Sequence, residues 1–400
     1  MNQNNLEKII NLRHVLHKNP ELSMRESETM ETIRHFLSAN TSLEIVNKGK
    51  WFYAVKHAEQ ADKDKGIDTA DVNRDRCIFN IAFRADVDAL PMDETIALSY
   101  ASSNPGVSHK CGHDGHAAAL CGLALELDQQ RTDKTVYLIF QPGEETGQGA
   151  ALCRDLVKEK HIDEIYAFHN LSGYPEKTVV YHPQVTQPAS EGLHIKLTGK
   201  TSHAAEPEHG NNPSCAIASI VLYAQSAAQQ FSEGLFMCTI TGIKVGNGDF
   251  GISPGEGDLF MTLRAEHEND MKTLEEKILG FAGERAQEAH LEMSSDIHDY
   301  FPETRNHDQC LEKVLEAADS LEIPKIQMPG PWRPSEDFGY YLKECPGAMF
   351  YIGNGTDYPP VHTGAYDFND NILETAVDMF SEICFTDQNH QLRSEKHMNP

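Results

Sequence analysis

Three short, mostly apolar runs that each close on acidic, amide or imidazole side chains constrain this chain more than any other feature. Cys77–Phe83 leads into Asp86-Val87-Asp88, Thr135–Phe140 into Gln141-Pro142-Gly143-Glu144-Glu145, and Ile165–Phe168 into His169-Asn170. Runs of this length that are apolar on nearly every residue read as strands buried on both faces. In open α/β sheets the carboxyl edge of such strands is where sites are built, so the polar residues that close them are candidates for chemistry.

The segments around these runs set the rest of the architecture. Residues 5–39 show helical spacing at Leu12, Val15 and Leu16 and again at Ile33, Phe36 and Leu37, with a break at Asn19-Pro20. Residues 57–76 are polar and aperiodic and read as a surface excursion between two strands. A helix is expected from about Asp114 through Leu127, where strong helix formers dominate. Near Glu191 the style changes. Leu193, Ile195 and Leu197 alternate with polar residues, then a helix over 213–230, strands over 236–245 and 258–265, a helix over 270–290 and a strand over 291–297 follow. That β-α-β-β-α-β order suggests a ferredoxin-like α+β sandwich. The earlier style resumes with a helix over 309–321, a strand over 348–352 and Val361-His362. Four hundred residues exceed what one core usually organises. The expectation is therefore an α/β catalytic domain with a central mixed sheet flanked by helices, formed by 1–188 and 299–386, interrupted by an inserted ferredoxin-like domain over 189–298, with a polar tail at 387–400.

Composition narrows the partners. A formal charge of −27 repels nucleic acid and anionic lipid surfaces. No apolar run reaches the roughly eighteen residues of a membrane span, and the polar start Met1–Asn5 is unlike a secretory signal. Nine cysteines occur singly, without a Cys-x-x-Cys pair, which fits reduced thiols in a cytoplasm.

The densest chemical signal is His109-Lys110-Cys111-Gly112-His113-Asp114-Gly115-His116. Thiolate and imidazole both ligate zinc and related transition metals, and alternate spacing in an extended loop can aim Cys111 and His113 at one point. Such a loop could instead simply cap the following helix, but the density of ligand types favours metal. Adjacent Glu144 and Glu145 would repel if buried without a cation, and an economical arrangement gives one carboxylate to the metal and keeps the other as general base. His169 and His362 each follow an apolar run, where a lone histidine is more often structural. Together with the other candidates they complete about five ligands, enough for two ions. Asp88 suits a carboxylate that orients a histidine, while Asp86 fits a ligand or a turn role equally.

Read together, these stretches resemble the M20 metallopeptidase family, in its aminoacylase, N-acyl-amino-acid amidohydrolase and hippurate-hydrolase branch. The likeness is carried by Leu12-Arg13-His14, Asn19-Pro20-Glu21-Leu22-Ser23, Arg84–Pro91, Cys111–His116, Gln141–Glu145, Gly199–Pro207 and Tyr366-Asp367-Phe368-Asn369-Asp370. The resemblance implies Cys111, His113, Glu145, His169 and His362 as ligands of two divalent metal ions (zinc or manganese, with cobalt or nickel as further options). It implies Glu144 as base and proton shuttle, Asp88 as the orienting aspartate, and Asp86 in place of a histidine ligand found in other branches. It further implies that the inserted domain is a dimerisation or lid domain, giving a homodimer or a tetramer. His203 would then reach the neighbouring subunit's site to stabilise an oxyanion, and Arg264 would pair with a substrate carboxylate. One departure stands out: before Pro254, where the family often carries an asparagine that contacts substrate, this chain has Gly251. The expected activity is hydrolysis of N-acyl amino acids, with dipeptides as rival substrates. A metal- or peptide-binding protein without catalysis is the rival of another class, disfavoured by the intact Glu144.

Overall fold

The computed structural model describes residues 1–59, 78–231 and 234–397. Cys77 and most of the expected polar excursion lie outside them. Two compact units result, one comprising Met1–Thr186, Arg305–Gly330 and the chain from Asp337 onward, the other Gln187–Thr304 with Pro331–Glu336.

The first unit begins with α1 (Gln3–Lys18), whose Asn2 cap accepts the Asn5 N–H. It stops at Asn19, before Pro20, and the helical pattern resumes in α2 (Ser27–Asn40). There follow β1 (Glu44–Asn47), β2 (Phe52–Lys56), β3 (Asn80–Asp86), α3 (His113–Asp128), β4 (Thr135–Gln141), β5 (Glu164–Ser172) and β6 (Val179–Tyr181). The second unit supplies β7 (Ala189–Thr198), α4 (Ser214–Gln229), β8 (Phe236–Val245), β9 (Glu256–Ala265), α5 (Glu268–Glu288) and β10 (Glu292–Phe301). The chain then rejoins the first unit as α6 (Asp308–Ser320), β11 (Lys325–Gln327), β12 (Gly347–Gly355) and α7 (Leu373–His397).

The first unit's sheet is mixed and runs β1-β2-β4-β3-β5-β12-β6-β11. Its middle is parallel: β3 pairs with β4 and β5, and β5 with β12. Asp86 is opposite Gln141, and His169 opposite Tyr351, so the carboxyl ends of three strands bring their polar residues to one edge. Every residue of β4 is buried, as a doubly covered strand requires. Phe83, Phe168, Phe350 and Phe380 meet edge-on beneath that edge, and burying each such ring stabilises the fold by roughly 1.5–3 kcal/mol. Helix α3 lies against α1, α7 and β3, which explains why nearly all its residues are buried and why it is built from Ala, Gly and Leu.

In the second unit four antiparallel strands run β8-β9-β7-β10. Leu193, Ile195, Leu197, Leu259, Met261 and Leu263 alternate inward and join Ile217, Ile220, Leu274 and Ile278 of α4 and α5 in a separate core. The short segment Pro331–Glu336 belongs to this unit although it lies far along the chain. At the other end, α7 continues to His397, so residues 387–397 are helical where a tail was expected. Gln, Arg, Glu and Lys in that stretch are good helix formers.

Candidate metal centre

The loop that enters α3 is shaped by Gly112. Its φ of 105° is in the region open to glycine, and a Cβ there would lie 2.2 Å from the Asn170 side-chain oxygen. Asn170 in turn donates to the Cys111 carbonyl at 3.0 Å. This close approach brings Cys111 Sγ to 3.4 Å from His169 Nε2. His113, one residue further, starts the helix and is fully buried.

Two of the imidazoles are oriented through the far nitrogen. His169 Nδ1 lies 2.7 Å from the Asn170 carbonyl, and His113 Nδ1 lies 3.1 Å from both the Asp88 carboxylate and its carbonyl. Each Nδ1 therefore donates, and each Nε2 is the atom left to face a metal, which would displace any proton held there. Asp88 also accepts from the Ser23 hydroxyl at 2.7 Å and from the Glu145 N–H at 3.1 Å, so one carboxylate fixes both a histidine and the Glu-Glu turn. That turn is held from behind by Glu26, which accepts the Gly143 N–H at 2.7 Å.

The candidate donor atoms converge. His113 Nε2 is 3.8 Å from Glu144 Oε2 and 3.8 Å from Glu145 Oε1, and His362 Nε2 is 3.4 Å from Glu145 Oε1. Cys111, His113 and His169 form one group of mutually close donors, and Cys111, Glu145 and His362 another. Cys111 is common to both. Ligands of a tetrahedral ion with bonds of 2.0–2.3 Å lie about 3.3–3.8 Å apart, the spacing seen here.

The residues also fit a metal electrostatically. Buried His113 Nε2 has no hydrogen-bond partner among the described residues. Burial alone would push His113 down, but Asp86, Asp88 and Glu145 outweigh it and hold the imidazolium up to about 10. A cluster that keeps a proton this firmly is asking for positive charge. Burial, then Glu145, Glu144 and Asp86, push the Cys111 thiol well above its ordinary value, so a cation is needed to hold it as thiolate. Burial, aided by His116, keeps His169 well below its usual value and therefore neutral, as a ligand must be.

Asp86 takes a different place from a ligand. Its two oxygens are held by Arg84 at 2.7 Å and by His116 Nδ1 at 2.6 Å. Burial opposes its ionisation, but His113, Arg84 and His116 keep its carboxyl well below the usual range. His116 is hydrogen-bonded at both nitrogens, the second 2.7 Å from Asn170 Oδ1, so it braces the site. Arg84 also reaches Gln141 and Asp337 at 2.8 Å each.

Behind the loop lies a second group that motif reading did not single out. Arg13 pairs with Asp114, Asp367 and Asp370, and His17 bridges Asp114 at 2.8 Å and Glu94 at 2.9 Å. The Arg13 and Asp367 stretches were visible only as parts of matching motifs.

His203 and Arg264 belong to the second unit, whereas the donor cluster belongs to the first. His203 is exposed, in a two-residue ladder with Ile252, and its Nδ1 accepts the Ala205 N–H at 3.1 Å. Gly251 accepts the Ala204 N–H through its carbonyl, a contact that any residue could make. Arg264 on β9 is partly buried without any ion pair or hydrogen bond among the described residues, and burial lowers its pKa.

A carboxyl-edge cluster of one thiol, imidazoles and carboxylates on a mixed α/β sheet defines a divalent-metal hydrolase. Residues 82–386 match the family described as Peptidase family M20/M25/M40, and the chain belongs to that family. It is 29% identical over 384 residues to an N-acetylcysteine deacetylase of Bacillus subtilis, covering 94% of this chain and 96% of that one. It is 28% identical over 389 residues to a hippurate hydrolase of Campylobacter jejuni, covering 95% and 96%. A solved Bacillus subtilis structure, described as a dinuclear metal binding peptidase from the M20 family, superposes with a TM-score of 0.80 at 25% identity, covering 96% and 98%.

Proposed function

We propose that this enzyme hydrolyses the amide bond of N-acyl amino acids, with two divalent ions held by Cys111, His113, Glu145, His169 and His362. The observation that carries this reading is a set of five such donors converging beside Glu144, a further buried carboxylate 3.8 Å from His113 Nε2. When bound, the ions supply Lewis acidity at the carbonyl and lower the pKa of the attacking water. Glu144 takes the proton from that water and returns it to the leaving nitrogen. Asp88 keeps His113 in the tautomer that presents Nε2. The names of the two curated relatives, a deacetylase of an N-acetyl amino acid and a hippurate hydrolase, favour N-acyl amino acids over dipeptides.

In the same reading Arg264 meets the substrate carboxylate. Its lack of a carboxylate partner among the described residues, in a chain of charge −27, supports that role. The chain works as a homodimer in which His203 stabilises the oxyanion in the partner's site. Helix α4 supports association: it carries no charged residue over sixteen positions, and its Leu222 is 70% exposed. Zinc or manganese are the first choices of ion, since imidazole and thiolate favour the former and carboxylates tolerate the latter. Among the described residues no helix is long and apolar enough to cross a membrane. The described cysteines are all free, as reduced thiols in a cytoplasm would be.

The test is to restore metal-free protein with zinc, manganese, cobalt or nickel and to offer N-acetyl amino acids, N-benzoyl amino acids and dipeptides. Cleavage of N-acyl amino acids at two ions per chain is expected. Cleavage of dipeptides alone, or two bound ions without turnover on any substrate, would overturn the reading.

A further inference from the structure

Lys110 is fully buried directly beside Cys111, and its ammonium is paired with Glu94, which is outside the donor set. Its contacts are unusual in where they end. Its carbonyl accepts the His362 N–H at 2.7 Å, and its Nζ donates to the Tyr366 carbonyl at 2.7 Å. The main chain at position 110 therefore holds the His362 end of this segment, as any residue's would, while the Lys110 side chain holds the Tyr366 end. Nζ also donates to Glu94, which supplies the counter-charge a buried ammonium requires and is itself fixed by His17 and by the Ser102 N–H. His362 needs such a grip. It has a φ of 60°, a left-handed conformation that a residue with a Cβ keeps only when its surroundings impose it, and its side chain is about half exposed.

The other donors are held by other means. His113 is oriented by Asp88, and His169 by the Asn170 carbonyl. Only His362, among the proposed ligands, has its backbone tied to Lys110. We propose that Lys110 is a positioning residue that sets the distance between Cys111 and His362, and so selectively determines the affinity of the ion shared by Cys111, Glu145 and His362. This rests on the two-ion reading above.

The test uses metal-free full-length wild type, Lys110→Met and the double variant Lys110→Met/Glu94→Gln, each titrated calorimetrically with zinc against a competing chelator. Wild type should take two ions. Lys110→Met should take one with unchanged affinity and a second about 10–100-fold more weakly, the usual effect of losing a residue that supports a ligand. The double variant should behave the same way, because the grip on Tyr366 is still missing. Restoration of both affinities in the double variant would show that the defect was only an uncompensated Glu94, and would overturn the proposal. Two ions bound by Lys110→Met at wild-type affinity would overturn it while leaving the metal centre intact. A wild type that never takes a second ion would overturn the two-ion reading and the proposal with it. If the variants do not fold, amide hydrogen exchange on metal-free wild type decides. The segment 361–366 should be protected before any metal is added, and exchange there at the rate of an open loop would sink the idea.

Discussion

Two groups of ionisable side chains in the first unit share one short stretch of sequence yet use their polar atoms in opposite ways. In the group of Arg13, His17, Glu94, Lys110, Asp114 and Asp367, each charge faces a counter-charge at close range. In the group of Cys111, His113, Glu145, His169 and His362, the far nitrogens of His113 and His169 are tied down while the near donor atoms converge on one another. A buried charge that already has its partner stabilises a framework. Donor atoms that face each other without a counter-charge are held in place for something else. Residue type does not separate the two groups, since both hold histidines and carboxylates.

The sharpest test of that contrast lies within the donor group. Glu144→Ala should keep both ions and lose turnover of N-acyl amino acids by about 10²–10⁴-fold, because a base acts on water without ligating. Glu145→Ala should lose metal affinity and activity together. Metal analysis beside turnover checks both. Near-normal turnover of Glu144→Ala at full occupancy would remove the distinction between base and ligand.

A second test asks whether the chemistry is confined to the donor group. His203→Ala should lower turnover by about 10²–10³-fold with metal content unchanged, as other single oxyanion donors do. Mixing it with Glu144→Ala and letting subunits exchange places both defects in one site of each mixed dimer. Activity should then rise to about a quarter of wild type at random equal mixing. No recovery, with exchange shown independently by mass, would return all catalysis to one subunit.

How much of this could be read in the sequence follows from the same contrast. Cys111 and His113 announce a metal loop through their types and spacing, but Lys110, Asp114 and His116 stand in the same eight residues and serve as bracing. Which neighbour does which depends on partners from remote segments, such as Asp86 for His116 and Arg13 for Asp114. Local pattern carries no such information. The parallel strands were legible because burial on both faces makes them continuously apolar. β6 and β11, of three residues each, are too short to show a period. β5 was read as ending at His169 because that residue is polar, yet the strand runs on to Ser172. The segment Pro331–Glu336 joins the second unit without any periodic signal.

Asp88 stands at the border between the two groups, touching a proposed ligand with one oxygen and the Glu145 N–H with the other. Asp88→Asn should weaken metal binding by about 10–100-fold, because the amide can present its donor to His113 and upset the tautomer. Chelator competition measures this. Unchanged affinity would mean that packing alone orients His113.

The smallest effect is expected in the framework group, and it should appear as stability. Burial by itself would lower the His17 pKa, but hydrogen bonds to Asp114 and Glu94 outweigh it and raise the value to about 9. Because the folded state holds that proton more tightly than the unfolded chain, His17 contributes fully below about 6.5, and the contribution fades as pH rises through about 9. Glu94 behaves in the opposite sense. Burial would raise it, yet His17, Lys110 and the Ser102 N–H bring it down to about 2, so its share is present above about 4.5 and is lost as pH falls through about 2. The pair is therefore fully effective between about 4.5 and 6.5. In metal-free protein, His17→Gln should cost about 1–3 kcal/mol in that window, because Asp114 and Glu94 stay buried beside a side chain that cannot be charged. Denaturant unfolding of both proteins across pH provides the check. The gap between them should narrow steadily toward pH 9. A gap that stays constant through that range would show that His17 acts by packing, and would leave the paired group without its electrostatic distinction from the ligands it supports.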